Sequence, residues 1–273
     1  MTTGFSADWL ALREPEDARV RSAALVSMLV EHLADAEPLR VLDLGAGTGA
    51  NARYLDQRLP AGVQWLLVDN DRQLLTRAAA AIQPADRLAI RVADLATALD
   101  PSAGDLDVDF FSGCHLVTAS ALLDLVSEAW LLSLAGRCRD ADAAVLFALT
   151  YNGTMACTPL ESEDELVRDL VNVHQRTDKG FGPALGPDAA ETAARAFDEV
   201  GYEVWREASD WELGPDSAQL QTQLIEGWAE AAEAVSPERA GLFRDWKARR
   251  LAHVAAGRSR VVVGHEDLAA WPI

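Results

Sequence analysis

Apolar and polar positions follow a helix-and-strand rhythm along the first half of this chain. Residues 22–35 (SAALVSMLVEHLAD) repeat apolar side chains at helical spacing, which predicts an amphipathic helix. A short apolar run at 40–44 then predicts a buried strand that ends in a glycine loop. The same reading predicts further strands at 65–68, 88–92, 115–119 and 144–150, and helices at 50–58, 73–82 and 123–135.

The regular alternation of predicted strands and helices ends after residue 150. Residues 151–187 combine a polar helix with a Gly/Pro-rich stretch, GFGPALGP. Strands are predicted at 202–208 and 259–264, the first after a helix at 189–200. Residues 216–255 lie between these two strands and look wholly helical. They are too many for a hairpin turn, so they predict a helical insertion or cap.

Alternating strands and helices predict an α/β fold, with a largely parallel sheet covered by helices on both faces. Crossovers in such sheets are almost always right-handed, which leaves few topologies. A chain of 273 residues fits a single domain with a helical appendage. We therefore divide it into an N-terminal helical lid (1–38), a cofactor-binding core (39–150), a substrate-loop insertion (151–187) and C-terminal strands (188–273) that carry the helical insertion at 216–255.

The glycine loop follows the first predicted strand, in the sequence VLDLGAGTG at 41–49. Glycines between a strand and a helix let a ligand approach the backbone closely, and the helix amino terminus favours an anionic group. The spacing is GxGxG rather than the GxGxxG of dinucleotide-binding proteins, and Asp43 stands two positions before the first glycine. A carboxylate there suits a ligand with an ammonium group better than a pyrophosphate. The alternative is a tight turn with no ligand.

Two more acidic residues end the next two predicted strands. Asp69 follows the second strand, where a carboxylate can accept both hydroxyls of a ribose. The alternative is a plain helix cap, for which Asp71 is the better candidate. Asp94 ends the third strand and could accept from an adenine amino group, or it could simply be a solvated strand-end residue. Together the acidic residues fit a nucleoside lying across the strand ends.

These motifs resemble those of one enzyme family, the class I S-adenosylmethionine-dependent methyltransferases. VLDLGAGTG at 41–49 is similar to the first motif of the family. LLVDND around Asp69 resembles the ribose-binding motif, and VADL around Asp94 resembles the adenine-contacting one. HLVTASALLD at 115–124 is similar to the fourth-strand segment whose end borders the methyl donor.

The resemblance implies a Rossmann-like, seven-stranded, mostly parallel sheet whose last strand is antiparallel, with helical insertions as a cap. It also implies S-adenosylmethionine as cofactor and methyl transfer as the reaction. The motifs cover roughly residues 40–150. The strands at 202–208 and 259–264 match the family only by architecture, and they could supply the closing pair.

The resemblance also implies a role for individual residues. The glycine loop would line the methionine part of the cofactor, and Asp43 would face its amino group. Asp69 would hold the ribose and Asp94 the adenine amino group, while Asn70 departs from the apolar residue usual in the family. Arg13 could reach the cofactor carboxylate from the lid. The complete predicted cofactor set is Asp43, Gly45, Ala46, Gly47, Thr48, Gly49, Asn51, Asp69, Asn70, Asp94, Leu95, Ser120, Ala121 and Arg13.

Catalytic and substrate-binding residues carry weaker signals. Methyl transfer from a sulfonium needs mainly alignment, and a base is needed only if the nucleophile arrives protonated. The candidate catalytic residues are His174, as a base with a pKa near neutrality, and Tyr151 at the end of the fifth strand. The alternative for His174 is a surface helix position. The candidate substrate-binding residues are Asp124, Asp178, Lys179 and Phe181; Asp124 could equally be an N-terminal helix charge.

Aromatic residues offer further candidates with structural alternatives. Trp9 and Arg13 lie four apart and share a face if that stretch is helical, although the tryptophan could simply dock the helix. His115 reads as a core histidine rather than a catalytic one. Three tryptophans in or near the insertion could line an aromatic pocket or belong to the core: Trp211, Trp228 and Trp246.

Composition narrows the classes of partner. The net charge of -19 disfavours nucleic acid, whose phosphates are normally held by Lys and Arg. The first residues lack a secretion signal and no apolar run is long enough for a membrane helix, so we expect a cytoplasmic protein with no membrane partner. No ligand spacing points to a metal, and three cysteines without CxxC spacing are expected to be free thiols: Cys114, Cys138 and Cys157.

The leading hypothesis is methyl transfer to a small molecule, because an acidic surface and roofing insertions suit an enclosed pocket. Methylation of a protein or RNA is a second hypothesis, and a non-catalytic S-adenosylmethionine-binding protein is a third. A nicotinamide dehydrogenase is disfavoured by Asp43 and by the GxGxG spacing. The exposed insertion could mediate a homodimer. The sequence leaves open the acceptor, the methylated atom, the general base and any assisting divalent ion.

Overall fold

A mixed eight-stranded sheet forms the centre of the computed structural model, which describes residues 6–99 and 110–273. The strand order is β3-β2-β1-β4-β5-β8-β6, and β7 pairs with β8 off this path. β8 is antiparallel to its neighbours. The strands are β1 (Arg40–Leu44), β2 (Gln64–Asp69), β3 (Leu88–Val92), β4 (Leu116–Ser120), β5 (Ala144–Thr158), β6 (Tyr202–Ala208), β7 (Trp211–Leu213) and β8 (Arg260–Pro272).

Helices cover both faces of the sheet. One buried cluster packs α2, α3 and α4 on one face, and a second packs α5, α6 and α8 on the other. The helices are α1 (Ala7–Val20), α2 (Ala23–His32), α3 (Ala50–Asp56), α4 (Arg72–Ala81), α5 (Leu95–Ala98), α6 (Glu128–Asp140), α7 (Asp164–Gln175), α8 (Ala189–Glu199), α9 (Ala218–Val235) and α10 (Ala240–Ala255). Within residues 6–99 and 110–273, no helix is both long enough and apolar enough to cross a membrane.

The sheet has its topological switch point between β1 and β4. β1 pairs in parallel with β2 on one side and with β4 on the other, with Asp43 opposite Thr118. The chain winds outward in opposite directions from this pair, so a crevice opens beyond the carboxyl ends of the two strands. Ligands of open α/β sheets bind in that crevice.

A cap is built where β5 and β8 run past the edge of the sheet. β5 continues to Thr158 through two irregularities, and β8 pairs with it along this extension. α7, α9 and α10 pack around Met155 of the extension and bury Trp246 completely. Full burial of one large apolar side chain contributes roughly 1.5–3 kcal/mol, so this second core makes the cap a packed unit rather than a loose loop.

Several predicted boundaries were wrong. The fifth strand was predicted to stop at residue 150 but continues to Thr158, and the last was predicted at 259–264 but continues to Pro272. The helix predicted at 123–135 begins at Glu128, after a 3-10 turn. β7 was not predicted, because three residues carry no period. Strand signals rest on short apolar runs, so a bulged strand with polar residues escapes them.

Candidate functional site

The glycine loop turns tightly between β1 and α3, beneath the N-terminal helix. Gly49 has a φ of +78°, and a Cβ there would lie 2.9 Å from the Cβ of Ala78, so α4 packs too closely for a side chain. Gly47 has a φ of +52°, and a Cβ there would lie 3.2 Å from Cδ1 of Leu10. α1 therefore covers the loop through Leu10.

A buried polar network lies below the loop, around the carboxylate of Asp43. Nδ2 of Asn51 donates to Oδ1 of Asp43 at 2.6 Å and to Oγ1 of Thr118 at 3.1 Å. Among the described residues, Oδ2 of Asp43 has no partner. Complete burial raises the pKa of Asp43 to about 7. A buried carboxylate with an unsatisfied oxygen is suited to receive a ligand ammonium group.

Arg21 adds a positive charge to this network, and the sequence analysis missed it. NH1 of Arg21 donates to Oδ1 of Asn51 at 2.6 Å, so Asn51 joins the guanidinium to Asp43. Arg21 is only 7% exposed and lies 4.1 Å from the ring centroid of Tyr54. Its Nε and NH2 have no partner within the described chain, and burial lowers its pKa. Free guanidinium donors of this kind favour a carboxylate.

Arg13, which was predicted to reach the cofactor carboxylate, is already engaged. Its Nε donates to Oδ2 of Asp17 at 2.8 Å and its NH2 to Oδ1 at 3.2 Å. The guanidinium also lies 4.9 Å from the ring centroid of Trp211. Trp9 and Arg13 do share one face of α1, as predicted, and both line the large cavity described below.

The acidic residues at the strand ends are held by backbone groups. Asp69 accepts from the backbone N–H of Gly47 and from that of Asp71, each at 2.8 Å, so it ties β2 to the glycine loop. Asp71 caps α4, as predicted. Asp94 is exposed and caps α5 by accepting from the backbone N–H of Ala96. Each carboxylate keeps acceptor capacity for a ligand, because an ionised carboxylate offers about four lone-pair sites.

The loop after β4 connects the glycine loop to a large cavity. Leu122 lies 3.5 Å from the position of a Cβ on Gly45, so the two loops are in contact. Ala121 has a φ of +52°, an uncommon conformation for a residue with a side chain. Asp124 is 7% exposed and lines the cavity. Burial raises its pKa to about 6, and its Oδ1 finds no partner among the described residues.

The cavity has a volume of about 850 Å³, a common size for a small-molecule site. It lies between α1, the loops after β4 and β5, and the cap. Its walls are largely aromatic and aliphatic, with a few charged groups. Its aromatic, charged and titratable lining residues include Trp9, Arg13, Asp124, Tyr151, His174, Asp178, Lys179, Trp211, Trp228 and His265.

Tyr151 and His174, the two predicted catalytic residues, both line this cavity. The hydroxyl of Tyr151 donates to Oδ1 of Asn172 at 2.8 Å, and burial raises its pKa, so it is a neutral phenol at pH 7. His174 ends α7, and burial together with nearby Lys179 lowers its pKa. Nζ of Lys179 lies 3.4 Å from Nδ1 of His174 and donates to the backbone oxygen of the same residue at 2.9 Å.

Some predicted residues lie elsewhere. Phe181 packs edge-to-face on Trp130, with ring centroids 5.5 Å apart, against the core rather than the cavity wall. Of the three tryptophans in or near the insertion, Trp246 belongs to the core of the cap, whereas Trp211 and Trp228 line the cavity. Nδ1 of His115 accepts from the backbone N–H of Arg40 at the opposite edge of the sheet, in keeping with a structural role. The three cysteines are free and buried.

His265 is a cavity residue that the sequence analysis missed. It is 5% exposed on β8, its ring centroid lies 5.0 Å from that of Trp211 and 6.4 Å from that of Tyr151, and burial lowers its pKa to about 3. Its Nδ1 finds no partner in the part of the chain described. A lone histidine in an apolar strand gives no signal, because only the pairing of β8 with the β5 extension brings it to the cavity.

One family model, described as a methyltransferase domain, matches residues 41–132. This segment runs from β1 to the first turns of α6, and it contains the glycine loop, Asp69, Asp94 and Asp124. No curated protein is similar enough in sequence to count as a relative.

Solved structures are similar to this chain at low sequence identity. The cyclopropane synthase MmaA2 from Mycobacterium tuberculosis matches with a TM-score of 0.52 at 11% identity, over 98% of this chain and 94% of that protein. The phosphoethanolamine N-methyltransferase 2 from Haemonchus contortus has a TM-score of 0.48 and 18% identity over 99% of this chain, which spans 59% of that protein. A methyltransferase from Geobacter sulfurreducens, solved with S-adenosylhomocysteine, has a TM-score of 0.47 and 15% identity, over 98% of this chain and 99% of that one.

Proposed function

Because residues 41–132 match a family model described as a methyltransferase domain, we propose that this chain transfers the methyl group of S-adenosylmethionine to a small molecule. The observation that carries the proposal is the cavity of about 850 Å³ that meets the loop after β4, directly beside the glycine loop. The methyl donor would bind in the crevice between β1 and β4, and the methyl acceptor would bind in this cavity. The two molecules would meet at the loop after β4.

On the donor side, we propose that the methionine part of the cofactor binds between two opposite charges. Asp43 offers a free Oδ2 for the ammonium group, and Arg21 offers free Nε and NH2 groups for the carboxylate. Asn51 fixes the distance between them, because it bonds to both. This assignment gives the carboxylate to Arg21 rather than to Arg13, which is paired with Asp17.

The nucleoside part would lie across the ends of β2 and β3. Asp69 would accept from the ribose hydroxyls while it keeps its bonds to the glycine loop, and Asp94 would accept from the adenine amino group. Asn70 follows β2 and Ala121 follows β4, whereas Ser120 ends β4 and Leu95 begins α5; these four residues complete the set as proposed contacts. When bound, the cofactor supplies an activated methyl group on a positively charged sulfur.

The chain itself would supply alignment and exclusion of water. α1 closes the glycine loop through Leu10, and the aromatic walls desolvate the acceptor. Holding the nucleophile in line with the methyl carbon and the sulfur lowers the barrier, by about 7–11 kcal/mol in well-oriented systems.

Calorimetric titration of the full chain with S-adenosylhomocysteine tests the donor site, with NAD as the control ligand. We expect saturable binding of S-adenosylhomocysteine and none of NAD, because Asp43 would repel a pyrophosphate. Small-molecule acceptors are then screened with a labelled methyl donor. Tight cofactor binding without turnover of any small molecule would favour a binding protein, and label on protein or RNA would favour a macromolecular substrate.

A further inference from the structure

The charged side chains around the cavity mostly form hydrogen bonds with neighbouring groups. Arg13 is paired with Asp17 through two hydrogen bonds. Nζ of Lys179 donates to the backbone oxygen of His174 and to Oγ1 of Thr177 at 3.1 Å. The negative charge of Asp124 stabilises the protonated form of Lys179, whereas Oδ1 of Asp178 accepts from two backbone N–H groups of its own loop, those of Gly180 and Gly182.

Asp124 is the exception among the charged residues described in this wall. Its side chain is only 7% exposed, and its Oδ1 has no partner within residues 6–99 and 110–273. Leaving a buried oxygen unsatisfied costs about 1–3 kcal/mol, and more when the group is charged. The site is therefore completed by a ligand that brings an N–H or O–H donor, and a positively charged donor forms the strongest such bond.

The surroundings of Asp124 fit an amine with an apolar skeleton. Four aromatic residues line the cavity: Trp9, Trp211, Trp228 and Tyr151. The face of an aromatic ring attracts a cation. The two histidines of the wall have lowered pKa values, so neither carries a positive charge that would compete with a cationic ligand at pH 7. An anionic acceptor would instead meet the negative charge of Asp124, on which the positive charges of Arg13 and Lys179 already act.

We propose that Asp124 binds the ammonium group of a primary or secondary amine and takes one proton from it, which makes amine N-methylation the reaction of this site. This inference rests on the proposed function. The step balances: the ammonium gives a proton to a carboxylate oxygen of Asp124, and the freed nitrogen lone pair forms the new N–C bond. The C–S bond breaks, its electron pair stays on sulfur, and Asp124 later releases the proton to solvent.

The position of Asp124 supports the proton transfer. It lies three residues beyond Ala121, in the loop whose Leu122 contacts the glycine loop, so an amine held there is close to the donor crevice. The groups that interact electrostatically with Asp124 are Arg13 on α1, Tyr151 on β5 and Lys179 in the loop after α7. His174 in the last turn of α7 and His265 on β8 line the same cavity. The pKa of Asp124 is about 6, so at pH 7 the carboxylate is mostly ionised and ready to accept.

The test measures binding of amine probes to the full chain saturated with S-adenosylhomocysteine. Phenethylamine and hexylamine are the probes, and 2-phenylethanol and 3-phenylpropionate are matched controls that replace the ammonium by a neutral or a negative group. Asp124→Asn removes the charge and keeps the shape. Asp169→Asn removes the same charge from the exposed side of α7 and serves as the control variant.

We expect the wild type to bind at least one amine ten times more tightly than 2-phenylethanol, and 3-phenylpropionate not to compete. Asp124→Asn should lose the preference for the amine while retaining binding of S-adenosylhomocysteine, and Asp169→Asn should keep both. An unchanged preference in Asp124→Asn, a preference for the alcohol or the acid, or no binding of either amine would overturn the inference.

The pH dependence of amine binding by the wild type tests the same inference and does not rely on the folding of a variant. Alkylamines stay protonated between pH 5 and 8, since their pKa is near the value of about 10.4 of a lysine. Affinity for phenethylamine should therefore rise through about pH 6 as Asp124 ionises, while affinity for 2-phenylethanol stays flat. A flat amine profile contradicts the inference. If the wild type does not bind S-adenosylhomocysteine, the proposed function itself is refuted. Failure of the inference and failure of the proposed function are therefore distinguishable.

Discussion

The two sides of the crevice are built on different physical principles. The proposed donor side takes most of its predicted residues from one stretch of chain, from β1 to the start of α5, and holds them through backbone N–H groups and the network of Asp43, Asn51 and Arg21. The acceptor side collects side chains from α1, the loop after β4, β5, α7, α9 and β8, and its walls are mainly rings. The first side is a local turn, and the second is a product of tertiary packing.

This difference follows from what each side would hold. A methionine zwitterion and a ribose present fixed charges and hydroxyls, so a donor site needs matching charges at fixed distances. The acceptor side has to enclose an apolar body and orient one reactive atom, which rings and a single carboxylate can do. We therefore expect donor-side substitutions to change cofactor affinity by large factors, and acceptor-side substitutions to change turnover or acceptor binding.

Asp69→Ala should give the largest effect. The variant loses the acceptor for both ribose hydroxyls and also the bond that ties the glycine loop to β2. Each hydrogen bond to a charged group contributes roughly 1.5–3 kcal/mol, so affinity for S-adenosylhomocysteine should fall by about 10- to 150-fold per bond lost. Calorimetry measures the change directly.

Asp71→Ala is the matched control for that experiment. It removes the side-chain cap of α4, two positions away, without touching the proposed ribose contact. It should cost about 1 kcal/mol of stability and leave cofactor affinity unchanged. Unchanged affinity in Asp69→Ala would remove the ribose assignment, and equal losses in both variants would mean that the loop geometry, not the carboxylate, is what matters.

The proposed donor side could be predicted from the sequence because its signal is local. A strand, a glycine turn and an acid at the end of the next strand can all be recognised within thirty residues, and β3 and β6 were predicted with correct limits. Arg21 escaped because a guanidinium next to a helix start has no motif. Only burial against Tyr54 and the bond to Asn51 reveal its free donors.

The acceptor side could not be assembled from sequence, because its residues are brought together by pairing over long distances. Val263 of β8 pairs with Met155 of β5 and with Trp211 of β7. The same register of β8 against β5 places His265 beside Tyr151. Phe181 has the composition expected of a substrate loop, yet the loop folds back so that the ring packs on Trp130. Composition marks a segment as a loop but does not say which way each side chain points.

Arg21→Met should separate the amino-acid part of the donor site from the rest. Methionine keeps much of the volume of the side chain and removes the donors to the cofactor carboxylate. Affinity for S-adenosylhomocysteine should fall by about tenfold or more, the equivalent of one charge-assisted hydrogen bond of roughly 1.5–3 kcal/mol. Affinity for 5′-methylthioadenosine, which has no amino-acid group, should stay the same.

The second ligand is the internal control, since a misfolded variant would lose both. Arg13→Met is the matched comparison, because Arg13 is paired with Asp17 and is not proposed to contact the carboxylate. Equal losses for both ligands in Arg21→Met would show a structural role only. A loss confined to Arg13→Met would return the carboxylate to the residue predicted from the sequence.

His174→Ala should give the smallest effect and lie wholly on the acceptor side. The imidazole is half-buried at the end of α7, and its lowered pKa keeps it neutral at pH 7, so it can offer the acceptor one neutral hydrogen bond. Such a bond contributes about 0.5–1.5 kcal/mol, which predicts a fall in turnover of about two- to tenfold with unchanged affinity for S-adenosylhomocysteine. Val173→Ala, an exposed neighbour on the same helix, should retain full turnover. Full activity in His174→Ala would exclude the histidine from the reaction, whereas a loss of a hundredfold or more would make it the base in place of Asp124, because general bases typically contribute about 100- to 10,000-fold.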